Sequence, residues 1–338
     1  MKNLVAKNKI VFITSSYYPS LGGVEKHVQR VSEILASKGC EVKVFVRYKE
    51  NYPKYQKINN VEIYRMPKKD GRPNINLWYL KNKKYFKDAV IHSHDYFPFS
   101  LRRLVKNRWV HTFHGFEGYP VSKIAIESRK RVLANVDYSF CVGKFIEKWY
   151  GTKCDEVLWG ASDKPKKYDI KPKYDFVFFG RLEKDTGINA YLEAFKILSN
   201  KNKSLKMLVV GWGGLQNKNI KYAKDNKLDI EFRKPVKDVY AVLAESKIAF
   251  VSGYQAIIES AMMKKPIIAY YDNPLKKDYL QMHPMSNHIY LADSKKQITE
   301  SVLKIIDNSF KISPAIISWA NSQTWDSIVS IYSESYLF

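Results

Sequence analysis

The chain has 338 residues, 45% of them hydrophobic, with 24 Tyr, 17 Phe and 7 Trp. That is enough for two domains of ordinary size and excludes a disordered polymer. A formal net charge of +24 points to an anionic partner: nucleotide phosphates, an acidic lipid surface or nucleic acid.

No apolar stretch approaches the roughly 18 to 20 residues needed to cross a bilayer. The opening MKNLVAKNKIVFITSS has too short an apolar run for a signal peptide and leads straight into a strand pattern. Cys40, Cys141 and Cys154 are widely spaced, with no CxxC, the usage of a reducing cytosol. The expectation is a soluble cytoplasmic protein.

Lys9 to Thr14 reads as the first strand. It is followed by a turn-rich loop ending in Gly22-Gly23 and by a helix with the apolar stripe Val24, Val28, Val31, Ile34 and Leu35, stopped near Gly39. Two glycines ahead of a helix are either a flexible turn or a place where a ligand approaches backbone N–H groups closely. Strands are expected at Glu41–Val46 and Val61–Arg65, with polar loops over Asn51–Asn60 and Pro67–Asn76. Ala89–His94 is a strand ending in His92, His94 and Asp95, and Arg108–Phe113 one ending at His114-Gly115. Helical patterns cover Leu101–Val105 and Ile124–Leu133, and Tyr138–Val142 and Glu156–Leu158 close this half. Strands alternating with helices imply a parallel, doubly wound sheet.

Trp159–Lys173, with two prolines and five lysines, reads as a linker. The alternation then restarts, with strands expected at 175–179, 206–210, 230–232, 248–251, 266–270 and 289–291. Helices are expected at 188–198, 236–245, 256–263 and 297–306. The tail from Pro314 carries Trp319, Trp325, Ile328, Ile331 and Tyr332 at helical spacing and is expected to pack as a closing helix. The domains so drawn are 1–165, 166–315 and a closing helix over 316–338.

Three constellations carry chemistry. On the loop leaving the strand 175–179 stand Arg181 and Lys184, ahead of Gly187 and a helix. In an open α/β sheet, ligands bind at the carboxyl ends of the strands, and a guanidinium there grips a phosphate through two hydrogen bonds; otherwise this is an ordinary solvated pair. His92-x-His94 and His111-x-x-His114 have no HExxH or Cys partner, so no metal site is expected. His114 differs from the others in being followed by Gly115 at a strand end, as either a structural or a functional histidine. Gly211-Trp212-Gly213-Gly214 partly mimics a dinucleotide fingerprint, but Gln216 stands where its third glycine is required, so NAD is not expected. In Ser252–Met263, Gly253 breaks a strand and Glu259 sits in the following helix. It is placed either to accept both hydroxyls of a ribose or simply to face solvent.

Together these pieces resemble the retaining nucleotide-sugar glycosyltransferases of family 4, with the two-domain GT-B fold, over nearly the whole chain. PSLGGVEKHV is similar to the family's donor-phosphate glycine loop. HSHDYFP and TFHG are similar to its first-domain strand ends, FGRLEKDTGI and VVGWGG to its phosphate loop and glycine turn, and IIESAMMKKPIIAY to its glutamate helix. The resemblance implies two Rossmann-like domains facing across a cleft, the first binding the acceptor and the second the donor, with a C-terminal helix crossing back. It implies a hexose moved from a nucleoside-diphosphate sugar to a glycan, glycolipid or lipid-linked hydroxyl with retention, without metal or cofactor. Gly22, Gly23, Arg181, Lys184, Gly213, Tyr254, Ile258 and Glu259 would hold the donor. His114 would lie beside the transferred sugar, and Arg181 would stabilise charge on the leaving diphosphate.

Three positions depart from the family pattern. Val251 stands where the first of two paired glutamates is expected, Thr186 where a phosphate-loop lysine is expected, and Lys265 where a glycine precedes Pro266. These departures keep open a non-catalytic nucleotide-sugar-binding homologue or partner subunit. No nucleic-acid module is present, and an epimerase on the same fold fits the tail and the Gly-Gly loop less well. The basic runs Lys81–Lys84, Arg102, Arg103, Lys106 and Arg108, and Arg129–Arg131 cluster in the first half. They read either as an anionic acceptor or membrane surface at the cytoplasmic face, or as a solvated lysine-rich exterior.

Overall fold

The computed structural model describes residues 9–20, 22–47, 52–66, 68–69, 72–73, 78, 80–307 and 312–337. The expected loops at 51–60 and 67–76 therefore lie partly outside the described residues. The chain divides into two compact units, 1–161 with 325–338, and 162–324.

The first unit is built on an eight-stranded sheet. Its strands are β1 (Lys9–Thr14), β2 (Glu41–Arg47), β3 (Tyr55–Ile58), β4 (Val61–Met66), β7 (Ala89–His94), β8 (Trp109–Phe113), β9 (Tyr138–Val142) and β10 (Glu156–Leu158), in the order β10-β9-β8-β7-β1-β2-β4-β3. Two-residue strands β5 (Lys68–Lys69) and β6 (Arg72–Pro73) pair separately. Within the eight-stranded sheet, among the described residues, only β3, in the segment expected as a loop, runs antiparallel; its alternating half-buried residues suit an edge. The central strands are near-continuous apolar runs because helices cover both faces.

The second unit repeats the plan with β11 (Tyr174–Arg181), β12 (Met207–Trp212), β13 (Ile230–Arg233), β14 (Ser246–Phe250), β15 (Ile267–Tyr270) and β16 (Tyr290–Ala292), all parallel, in the order β13-β12-β11-β14-β15-β16. Its core centres on an aromatic pile: Phe250 stacks on Phe176 at 5.0 Å and on Tyr191 at 4.9 Å between ring centroids. Such offset pairs add roughly 0.5–1.5 kcal/mol each beyond burial.

Several expectations are corrected. Gly180 and Arg181 do not end β11 but continue it, paired to Gly211 and Trp212 of β12. The helix expected over 101–105 is a single turn, Phe99–Arg102, and short helices Phe145–Tyr150, Gln216–Asp225 and Pro274–Gln281 form where no helix was expected. The tail is two helices, Pro314–Ser322 and Trp325–Ser335, because Thr324 leaves helical geometry to bridge Ser162 while Gln323 accepts the Ser162 N–H at 3.0 Å. The units accordingly separate at 161/162 and at 324/325 rather than at 165/166 and 315/316.

Part of the expected basic surface is also structural. Arg129 is buried, its guanidinium 3.6 Å from the Tyr150 ring centre and donating to the Gly115 carbonyl. Arg108 donates to Ser335 O, and Arg102 to the carbonyls of Asn107 and Asn135.

Candidate functional site

In each unit the candidate residues follow the strands where sheet order reverses. In the first, β1 lies between β7 and β2; in the second, β11 lies between β12 and β14. A doubly wound sheet opens a crevice at these points, outside the carboxyl ends of its strands.

After β1, Gly22 is extended and Gly23 opens the helix Gly23–Ser37, which has no side-chain N-cap bond. A side chain on Gly23 would meet nothing within 4 Å, whereas one on Gly22 would strike the Glu25 carboxylate at 2.2 Å. Glu25 thus folds back over the helix N-terminus, where a negative charge is favoured.

The ends of β7 and β8 carry a histidine cluster. His94 Nδ1 lies 2.8 Å from His114 Nε2, and the His114 N–H donates to Asp95 at 2.8 Å. Part of His114 reaches the surface, but its ring packs edge-on against His27 at 4.6 Å, and burial pushes its pKa down to about 3. His114 is therefore a neutral hydrogen-bonding group at physiological pH. His27, which no motif marked, completes a trio whose ligand atoms all lie within 4.8 Å of one another. The pairs suggested by spacing do not form this trio. His92 is engaged by Tyr336 at 2.7 Å and Thr112 at 2.8 Å, and His111 by Ser93 at 2.7 Å. Three segments distant in sequence supply the cluster, so no local spacing marks it.

In the second unit, Arg181 is the exposed last residue of β11 and Lys184 is exposed on the loop that follows, and Arg181 donates to Asp185 at 2.6 Å. Gly187 takes a left-handed conformation (φ 81) and starts the helix Ile188–Lys201; a side chain there would meet the Tyr270 ring at 2.7 Å. The adjacent glycine turn is braced by this loop. Trp212 O accepts the Leu182 N–H at 2.8 Å, and Gly214 donates to Glu183 at 2.7 Å. A side chain on Gly213 would come within 2.5 Å of Leu182 O. Close packing alone thus requires Gly213.

Glu259 does not face solvent. It is buried on the helix Tyr254–Met262 and accepts Ser162 Oγ at 3.0 Å and Gln255 Nε2 at 2.9 Å. Tyr254 stacks on Tyr279 at 4.0 Å, and Ile258 is wholly inside the core. The Ser252-Gly253 turn ahead of them is held by residues that sequence reasoning passed over. Ser252 Oγ lies 2.7 Å from Tyr191 OH and accepts the Tyr270 N–H at 2.9 Å, while Lys276 Nζ donates to Ser252 O at 2.6 Å. Lys276 is buried 4.1 Å over the Tyr279 ring, and that burial, opposed by Asp185 and reinforced by Arg181, pushes its pKa down to about 8. The signal available for it was slight: the Asn273-Pro274 helix start two residues before a lysine.

Comparison with known proteins gives this geometry a family. Residues 21–155 match the family model Glycosyltransferase Family 4, and residues 173–308 match Glycosyl transferases group 1. The glycosyltransferase MJ1069 of Methanocaldococcus jannaschii is 22% identical, over 90% of each chain. Among solved structures, the sucrose-phosphate synthase of Thermosynechococcus elongatus is similar at TM-score 0.76 and 15% identity, covering 97% of this chain and 98% of its own. Anabaena HepE, in complex with UDP and glucose, is similar at TM-score 0.74 and 12% identity, covering 97% and 99%. The chain belongs to the family 4, group 1 glycosyltransferases and has their GT-B fold.

Proposed function

We propose that this glycosyltransferase moves a hexose from a nucleoside-diphosphate sugar to an acceptor hydroxyl with retention of configuration. The observation that carries the reading is the placing of Arg181 at the switch point of the second sheet, with the buried carboxylate of Glu259 on the helix after the neighbouring strand β14. Supporting it, HepE of the same fold holds UDP and glucose, and the starch synthase IV of Arabidopsis thaliana holds ADP and acarbose.

In this reading Arg181 and Lys184 grip the diphosphate, Gly213 and Tyr254 line the donor, and Glu259 holds the ribose, while Ile258, inside the core, anchors the helix that carries Glu259. Gly22 and Gly23 lend backbone N–H groups to the phosphates, with Glu25 moving aside. Attack comes from the face that the leaving diphosphate vacates, and its departing oxygen takes the acceptor proton. Arg181 stabilises the charge that develops there, the main catalytic contribution. Neutral His114 supplies a hydrogen bond to the sugar. The chemistry needs no metal. The acceptor is a glycan, a glycolipid or a lipid-linked hydroxyl, reached at the cytoplasmic membrane face.

A calorimetric panel of UDP, GDP, ADP and their sugar conjugates tests the donor site. One nucleotide should bind the unmodified protein and fail to bind Arg181→Ala and Glu259→Ala. If none binds the unmodified protein, the donor site is disabled and the reading falls. Proton NMR of the product against the donor reads retention directly.

A further inference from the structure

We infer that His27, His94 and His114 form a binding site for a late first-row divalent metal such as Zn2+, Ni2+ or Co2+. Three imidazoles on one tetrahedral ion, with metal–nitrogen distances of about 2.0–2.1 Å, place donor atoms roughly 3.4 Å and ring centres roughly 5 Å apart. The three ring pairs here stand at 4.6, 5.1 and 5.8 Å. His94 Nδ1 and His114 Nε2, at 2.8 Å, need to part by only about half an ångström to share an ion.

One further observation points the same way. His27 Nε2 is held at 2.9 Å by the Tyr332 hydroxyl, which lies 3.1 Å from Thr112 Oγ1, itself 2.8 Å from His92. When His27 Nε2–H donates into this chain, its Nδ1 carries the free lone pair. Outer hydrogen bonds fix the tautomer of metal-binding imidazoles in the same way. An all-nitrogen donor set selects Zn2+, Ni2+, Co2+ or Cu2+ over Mg2+ or Ca2+, which require oxygen ligands. The partly exposed edge of His114 is the route of entry.

The consequence for activity rests on the reading proposed above. With His114 beside the transferred sugar, an ion on the trio competes with the donor. Binding itself does not depend on that reading.

The test titrates Co2+ into chelator-stripped, full-length protein without donor, reading its visible absorption, followed by displacement with Zn2+. One Co2+ per chain with the intense bands of low-coordinate nitrogen ligation is expected. His94→Gln and His114→Ala should each weaken uptake at least about tenfold, while His288→Ala, in the other unit, should leave it unchanged. His114→Ala carries the test if His94→Gln does not fold, as judged by circular dichroism. No Co2+ uptake by the unmodified protein, or uptake unchanged in the trio variants, overturns the site. Co2+ uptake that does not compete with donor upholds the site and removes His114 from the sugar.

Discussion

His27 Nε2 and the Tyr332 hydroxyl lie 2.9 Å apart across 305 residues of sequence, tying the helix Gly23–Ser37 to the helix Trp325–Ser335. The same hydroxyl reaches Thr112, and Tyr336 reaches His92 at 2.7 Å. Tyr332→Phe strands buried polar atoms on both sides and should cost about 1–3 kcal/mol of stability, with Tyr336→Phe costing a similar amount. The double variant should lose less than the sum, because both hydroxyls belong to one hydrogen-bond chain. Urea unfolding with hydrogen exchange resolved to the first unit measures this.

Acid should destabilise the first unit selectively. Burial lowers the pKa of His27, His92, His94 and His111 well below 6.5, and that of His114 to about 3. Between each folded value and 6.5, the unfolded chain binds the extra proton. Stability is therefore full above pH 6.5 and falls as pH drops, by up to about 1.4 kcal/mol per pH unit per histidine. Melting curves from pH 7.5 to 5.0 should show the first unit losing stability well ahead of the second. Equal losses in both would contradict the assignment.

Gly211→Ala should damage the second unit. Its φ of 158 and a side-chain position 1.8 Å from Gly180 O force β11 and β12 apart where their strands are paired. A loss of about 2–4 kcal/mol is expected, with the first unit's melting unchanged.

Arg181→Ala should weaken nucleoside diphosphate binding about tenfold to a hundredfold, because two charge-assisted hydrogen bonds are lost. Arg181→Lys should recover only part of this, since an ammonium lacks the planar fork. Neither change should alter stability measurably, because the Asp185 ion pair is exposed. Isothermal titration alongside thermal melting separates the two effects.

Glu25→Gln should tighten binding of the same nucleotide. The Glu25 carboxylate lies over Gly22 at the helix N-terminus, where it repels an incoming phosphate. Removing its charge should improve affinity by a few-fold at low salt and by less at high salt, as screening removes the repulsion. Unchanged affinity would place the phosphates away from this helix.

Most of the alternation of strands and helices could be read from the sequence, because strands buried on both faces, such as KIVFIT and MLVVGW, are near-continuous apolar runs. β3 escaped because an edge strand with polar alternation resembles a loop. The tail break escaped because its cause, the pairing of Thr324 with Ser162, is non-local. At the site, Arg181 and Gly187 were marked by position, since one strand and one turn place them. His27 and Lys276 were not. Each is defined by partners from other segments, and a single histidine or lysine on an amphipathic helix gives no periodic signal. Sequence alone leaves Glu259 either ribose-binding or solvent-facing, because its burial depends on Ser162, nearly a hundred residues earlier.

The first unit is synthesised first but cannot be completed first. Residues 162–324 form an uninterrupted stretch, so the second unit can close its core as soon as it leaves the ribosome. The sheet that precedes it must wait for Trp325, Ile328, Val329, Tyr332 and Tyr336, all buried in the first unit. Until they arrive, its strands face the cell with an open core, a state prone to association. The segment 325–338 thus acts as a release step. A premature stop just before Trp325 would leave a sound second unit attached to a first unit that fails to fold.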